Sequence, residues 1–193
     1  MEELKGIKIG YALCGSFCTF RQSIDEMREL VAMGAELVPI MSANAYTLDT
    51  RFGKAADFIR EIEDICGRSI IHTIPQAEPI GPQKLLDVLV ISPCTGNTLA
   101  KLASGVTDTA VALAAKAHLR NARPLVLGVS TNDALATASK NIGLLMNSKH
   151  IYFIPMSQDD PVKKPNSVVV HFDKTPEAIQ CALAGQQVQP LYV

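Results

Sequence analysis

Apolar residues fall in two rhythms along this chain, and the alternation between them lays out the fold. Short, nearly continuous apolar runs occur at Gly6 to Leu13, Ala35 to Met41, Val88 to Ser92, Pro124 to Val129 and Ile151 to Pro155. Runs of this kind predict strands of a parallel sheet buried on both faces. Between them, apolar positions return every three or four residues. Phe17, Phe20, Ile24, Met27 and Val31 mark one helix that Gly34 closes, and Phe58, Ile62 and Ile65 mark a second from about Arg51 to Cys66. Each such stripe predicts a helix laid against a sheet.

The rest of the chain follows the same alternation. Residues 67–83 contain Pro75, Pro79 and Pro82, which predict a short strand near Ser69 to Ile74 and then a surface excursion. The Val88 strand is expected to stop at Pro93, which has no N–H for a ladder, and Cys94-Thr95-Gly96-Asn97-Thr98 then turns into a helix from about Leu99. That helix or helix pair reaches Leu119 with a break near Gly105, and it carries a small face of Ala110, Ala112, Ala114, Ala115 and Ala117 suited to close approach of another helix or subunit. A further helix runs from the Ser130-Thr131-Asn132-Asp133 junction to about Lys149. Met156 to Asn166 reads as a polar loop, and a last strand and helix occupy about residues 168–184. The repeated β-α-β order predicts an α/β fold: a Rossmann-like open parallel sheet with helices on both faces, in one domain over residues 1–193.

In such a sheet the strand C-termini share one edge, and ligands bind there beside a reversal of strand order. Four loops on that edge are small and polar: Cys14-Gly15-Ser16, Ser42-Ala43-Asn44, Cys94 to Thr98, and Ser130-Thr131-Asn132. Their convergence predicts a ligand site. The free amides of a helix start near Asn97 and Thr98 suit an anion, although a simple helix cap accounts for those two residues equally well. The first loop lacks the G-x-G-x-x-G spacing, and the second strand ends in Met41-Ser42 where a dinucleotide site usually places an acid for the ribose. No G-x-x-x-x-G-K-[ST] is present, so neither NAD nor a Walker-type ATP site is supported. A mononucleotide flavin, with one phosphate and an uncharged ring, fits neutral donors better.

Composition narrows the partners. With 193 residues, 48% hydrophobic and 19% charged, the chain has material for a sizeable core, and a net charge of −1 gives no electrostatic case for nucleic acid or an anionic membrane. No apolar run approaches the roughly 20 residues that span a bilayer. Met1-Glu2-Glu3 places acids where a secretory signal has bases, so a cytoplasmic location is expected. Five cysteines, Cys14, Cys18, Cys66, Cys94 and Cys181, include no C-x-x-C pair, which argues against a disulfide framework and a zinc knuckle. No metal site is expected.

The stretch ISPCTGNTLAKLASGVTDT is similar to the P-A-T-A-N-T-I-A-K-x-A-x-G-I-A-D segment of the flavoprotein family that includes the homo-oligomeric flavin-containing cysteine decarboxylases. IPQAEPIGPQKLLDVLVISPCTGNT, AAKAHLRNARPLVLGVSTND and SQDDPVKKPNS extend the resemblance over most of residues 5–175. It implies FMN, with Gly15, Ser16, Thr95, Gly96, Asn97 and Thr98 on the phosphate and ribityl groups, Ser42, Asn44 and Ser130 nearer the ring, and Asn132 as a further cofactor-binding residue. Asp108 stands at the family's G-I-A-D aspartate, near the cofactor or a subunit contact in relatives, or else it is a solvated helix cap. Cys94 stands where the family often has alanine and reads as a small buried residue beside the site. A homo-oligomer, a trimer or a multiple of it, is also implied.

Two family motifs are missing. Glu78-Pro79-Ile80-Gly81 replaces the decarboxylases' histidine-bearing H-I-x-L segment, and Ser130-Thr131-Asn132-Asp133 replaces P-x-M-N. His72, upstream of the first, is the one candidate acid-base, against the plainer reading of a surface or core histidine. The branch of the family that this chain resembles implies an enzyme subunit that oxidises a small dihydro heterocycle with two carboxylates. It would act with a dehydrogenase-like partner subunit in the mother cell of a sporulating bacterium, with Arg21, Arg51, Lys54, Lys163 and Lys164 as candidates for the carboxylates. A flavin-binding scaffold that only stabilises such a partner is the alternative. A stand-alone decarboxylase or prenyltransferase is disfavoured by the missing motifs.

Overall fold

The computed structural model describes residues 4–193, so the acidic start Met1-Glu2-Glu3 lies outside the described residues. Five parallel strands, β1 (Lys8–Leu13), β2 (Glu36–Met41), β3 (Val88–Cys94), β4 (Leu125–Val129) and β5 (Ile151–Phe153), form one sheet in the order β2-β1-β3-β4-β5. Alternate residues of each strand point to opposite faces, and both faces are apolar. Tyr11, Val88, Val90 and Val126 meet α1 (Phe20–Ala32) and α3 (Ala55–Cys66) through Ile24, Met27 and Ile62. Ala12, Leu89, Ile91 and Leu127 meet α5 (Gly96–Ser104), α6 (Ala110–Leu119) and α7 (Ser139–Met146) through Leu99, Ala114 and Ile142. The helix periodicities of the sequence are thus spent on a three-layer α/β/α core, completed by the short helices α2 (Ala43–Thr47) and α4 (Ile74–Ala77) and by α8 (Thr175–Leu183).

Several local expectations are corrected. Pro93 does not end β3. The strand continues to Cys94 through an irregular register with β4, because neighbours replace the ladder bonds that proline cannot make. The Ser23 hydroxyl donates to the Ser92 carbonyl at 2.8 Å, Cys14 N–H to Pro93 O at 3.2 Å, and Ser130 N–H to Cys94 O at 3.0 Å. No strand forms at 69–74, where Ile71 makes a single parallel bridge to Ile40. The helix expected from Arg51 begins only at Ala55, and the one expected up to Lys149 covers Ser139–Met146. The polar stretch at 156–166 is no loop. It forms an antiparallel hairpin of β6 (Met156–Asp160) and β7 (Lys164–Val170), joined to the end of β4 by paired bonds between Thr131 and Val168. The alanine face of α6 offers no subunit surface either, since Ala110, Ala112, Ala114, Ala115 and Ala117 are all buried within the chain.

One buried group gives a pH prediction. Glu26 on α1 is only 4% exposed, and its Oε1 has no hydrogen-bond partner. Burial, with smaller contributions from Glu29 and Asp173, pushes its carboxyl up to about 8. The folded value lies above the unfolded one, so the protein carries its full stability below the ordinary carboxylate range and loses some as pH rises through about 8. Glu26→Gln is expected to stabilise the fold by ~3 kcal/mol near neutral pH and by little near pH 4, one pKa unit being worth about 1.4 kcal/mol. Urea unfolding at both pH values checks this, and an equal gain at both would contradict it.

Candidate functional site

Strand order reverses between β1 and β3, and the loops after these strands part there to open a cleft of about 750 Å³. Cavities of roughly 300–1,000 Å³ hold small ligands and cofactors. Gly15 and Ser16 line it from the loop after β1, Thr95, Gly96 and Asn97 from the turn into α5, and Ser130 and Asn132 from the loop after β4. Three of the four polar loops therefore converge at one point on the sheet edge.

Apart from Arg51 and Lys164, two of the candidate cations, the donors in this cleft are neutral. Thr95 caps α5 with an extended backbone but makes no side-chain capping bond, so the first amides of the helix keep their capacity to donate. Around them stand the Ser16, Ser130 and Thr131 hydroxyls and the Asn97 and Asn132 carboxamides, Asn97 exposed to solvent. Gly96 is set by a close approach. A Cβ there would lie 2.7 Å from Asp133 Oδ1 and 3.1 Å from Thr131 Oγ1, atoms already joined by a 2.5 Å hydrogen bond from Thr131 to Asp133. The start of α5 and the loop after β4 are in this way fitted against each other, and a helix start with unspent amides among neutral hydroxyls suits one phosphate and a polyol chain. The donor set fits FMN.

Other candidates stand outside the cleft lining. Thr98 is buried, and its hydroxyl donates to Cys14 Sγ at 3.1 Å. Cys94 is fully buried, and burial together with the nearby Cys14 keeps it a neutral thiol. Cys14 is pushed up to about 11 by burial, against the opposing bond from Thr98. Ser42 accepts from Ala45 N–H at 3.3 Å as the cap of α2, and exposed Asn44 sits beside Gly15 without lining the cleft. Asp108 is exposed and holds Lys101 at 2.6 Å, a bond that lowers its pKa. His72 stacks on Tyr46, rings 3.7 Å apart, with Nδ1 3.3 Å from Ile70 O, and it too is not part of the lining. His118 is buried, held near 4 by burial, and bonded through Nε2 to Pro124 O at 3.0 Å.

The cleft also holds residues that the sequence pattern did not single out. Phe17, Cys18 and Thr19 follow the first loop, Phe52 and Asp133 stand beside residues already named, and Asp159, Ser167, Val168 and Val169 come from the hairpin. The hairpin had a signal in Asp160-Pro161. Asp160 Oδ1 accepts from Val162 N–H at 3.1 Å and Lys163 N–H at 2.9 Å, a side-chain-closed turn of the kind such dipeptides favour. Ser130-Thr131-Asn132-Asp133, in place of the decarboxylases' P-x-M-N, does line the site.

A doubly wound sheet with a polar cleft at its strand-order reversal is the architecture of the ligand-binding open α/β class. A Flavoprotein family profile matches residues 1–176, and the chain belongs to that family. It is 49% identical over 193 residues to the B subunit of dipicolinate synthase from Bacillus subtilis (strain 168), covering 100% of this chain and 96% of the relative. The crystal structure of the corresponding B subunit of dipicolinate synthase from Bacillus halodurans C matches with a TM-score of 0.90 at 44% identity, over 98% of this chain and 97% of that one. The FMN-dependent cysteine decarboxylase SpaF shares the fold, with a TM-score of 0.67 at 22% identity over 93% and 96% of the two chains. Among the described residues no helix is long and apolar enough to cross a membrane, and no cluster of three His, Cys, Asp or Glu could hold a metal ion.

Proposed function

We propose that this chain, as one flavoprotein-type domain over residues 1–193, is the FMN-binding subunit of a dipicolinate synthase. In this reading it takes part in oxidising a dihydrodipicolinate-type intermediate to dipicolinate during sporulation, in the mother-cell cytoplasm, beside the dehydrogenase-like partner subunit of the same synthase. The observation that carries the reading is the cleft at the β1/β3 reversal, where the uncapped start of α5 meets neutral donors from β1 and β4. Gly15, Ser16, Thr95, Gly96 and Asn97 would hold the phosphate and ribityl groups, and Ser130 and Asn132 the remainder of the cofactor. Thr98, Cys94 and Ser42 would act from behind these residues, fixing the loops, while Asn44 and Asp108 would lie at the periphery or at a contact with a second copy. A bound flavin supplies an acceptor for the hydride whose removal aromatises a dihydro ring. The residues of the chain position the substrate against it and exclude water.

The test is FMN binding followed by an anaerobic spectrum. The purified chain is expected to take FMN tightly, with NAD and FAD much weaker, because one phosphate seat is present and the dinucleotide signals are absent. Equal affinity for NAD would sink the reading. Asn97→Leu should weaken FMN at least tenfold with the fold intact, through loss of a polar group at the site, whereas unchanged affinity would reduce Asn97 to an exposed helix residue. A scaffold role for the flavin-loaded chain is favoured by one fact: no histidine lines the cleft among the described residues. His72 would serve as acid-base only if the bound state brought it closer.

Self-association belongs to the same reading. Tyr192 and Val193 are 66% and 57% exposed although the tail is pinned to β6 by Met156, and Leu144 on α7 is 59% exposed. These surfaces suit self-association, and the family resemblance supplies the number, a trimer or a multiple of it. Light scattering that reports a monomer at micromolar concentration would contradict this.

A further inference from the structure

The segment between α2 and α3 closes on itself. Thr50 N–H donates to Gly53 O at 3.0 Å, and Gly53 N–H donates back to Thr50 O at 3.1 Å, leaving Arg51 and Phe52 as the two residues at the tip. The turn is fastened at both ends. Asp49 Oδ1 accepts from Ala55 N–H at 2.8 Å, and Thr50 Oγ1 accepts from Phe52 N–H at 3.2 Å. Gly53 packs on the Phe58 ring so closely that a Cβ would lie 2.7 Å from it, and its φ of +151° disfavours any other residue. A short, pinned turn therefore presents two large side chains to the cleft, which both of them line.

Their chemistry is specific. The Arg51 guanidinium lies 4.8 Å from the centroid of the Phe52 ring, and that ring is 46% exposed. The cleft lining holds one other cation, Lys164 on β7, and it is already paired with Asp159 at 2.7 Å. Arg21 is held by Glu61, and neither Lys54 nor Lys163 lines the cleft. Arg51 is thus the cleft cation with no carboxylate partner among the described residues. An exposed aromatic ring beside a free guanidinium complements a flat organic anion, because the ring covers a π-face while the fork of N–H donors takes a carboxylate.

We infer that the Arg51–Phe52 turn is the substrate-recognition element of the cleft, selecting a small, flat heterocyclic dicarboxylate by pairing one carboxylate with Arg51 and covering the ring with Phe52. This rests on the proposed function and assigns the substrate end of that site. Phosphate recognition alone gives no reason for the exposed ring, and the neutral donors at the start of α5 already supply a phosphate seat.

The test is calorimetric titration of the FMN-loaded full-length chain with pyridine-2,6-dicarboxylate and with pyridine-2-carboxylate. Wild type should prefer the dicarboxylate. Arg51→Gln should weaken the dicarboxylate at least tenfold and bring it close to the monocarboxylate, Arg51→Lys should recover part of the loss, and Phe52→Leu should weaken both acids. All three variants should keep wild-type FMN affinity within about twofold, which also shows that they fold. Loss of FMN affinity in Arg51→Gln would overturn the inference by assigning the guanidinium to the cofactor phosphate. Unchanged dicarboxylate affinity in Arg51→Gln, with wild type binding normally, would overturn it and leave the proposed function standing. Failure of FMN-loaded wild type to bind either acid would overturn both.

Discussion

Gly96→Val is expected to lower FMN affinity at least a hundredfold while the sheet stays folded. Gly96 is the first residue of α5, and its Cα faces the hydrogen-bonded pair Thr131 and Asp133 on the loop after β4. A bare Cβ would lie 2.7 Å from Asp133 Oδ1, and the branched methyls of valine reach farther. Asp133 would have to swing away and give up its bond to Thr131, which moves the loop that carries Ser130 and Asn132. The helix start and the β4 loop would then no longer present their donors to one ligand. A misplacement of this size at a preorganised polar site costs more than loss of one hydrogen bond, and a hundredfold corresponds to about 2.7 kcal/mol. Equilibrium titration with FMN, beside far-ultraviolet circular dichroism, checks the result. An affinity within about threefold of wild type would show that the ligand does not bridge the two loops.

The residues behind this prediction differ in how visible they were. Val88 to Ser92 was legible as a buried central strand from its short length, β-branched content and the Pro93 that follows it, and α1 and α3 followed from their stripes. Gly96 and Asn97 were legible as a turn into a helix. What no local pattern encodes is the approach of Gly96 to Asp133, 37 residues apart in sequence, because it depends on the pairing of β3 with β4. The hairpin was missed for a related reason. β6 carries Ser157, Gln158, Asp159 and Asp160 at the rim of the fold, so it lacks the apolar alternation that reveals a half-buried strand, and its pairing with β7 is seen only in three dimensions. Arg51 stood out only as one of five candidate cations, and Phe52 was hidden by the opposite error, a helix begun four residues early. The tight Thr50–Gly53 turn interrupts what periodicity alone would extend. Thr98 shows the limit of loop reading most clearly: a hydroxyl next to an exposed Asn97 points to Cys14 in the core. Helix geometry separates such neighbours by about 100° per residue, which a list of polar residues in a loop does not reveal.

Full dipicolinate formation is expected only from a mixture of this chain with a dehydrogenase-like partner, with the isolated FMN-loaded chain at least a thousandfold slower. Aromatising a dihydro ring requires removal of a hydride and a proton. On the proposed reading the cleft seats the hydride acceptor and turns one unpaired cation to a carboxylate, but both carboxylates that line it are already engaged. Asp133 is engaged by Thr131, and Asp159 is engaged by Lys164 and Ser167. The two cysteines just behind the loops, Cys14 and Cys94, are held as neutral thiols by burial. Loss of an acid-base group commonly costs about 10²–10⁴ in rate, which sets the scale of the expected deficit. A partner that closes over the cleft can bring the missing base, and the exposed Val162 at the tip of the β6–β7 hairpin is a surface it could cover. Anaerobic mixing with the dihydro substrate, followed by the spectrum of the flavin and the absorbance of the aromatic product, separates the possibilities. Asn97→Leu or Ser16→Ala should impair the mixture in proportion to flavin lost, and added FMN should restore part of it. Rapid product formation by the isolated chain would refute the two-subunit reading. Full activity of the mixture after the flavin has been stripped would instead assign this chain the scaffold role, with the redox step belonging to the partner.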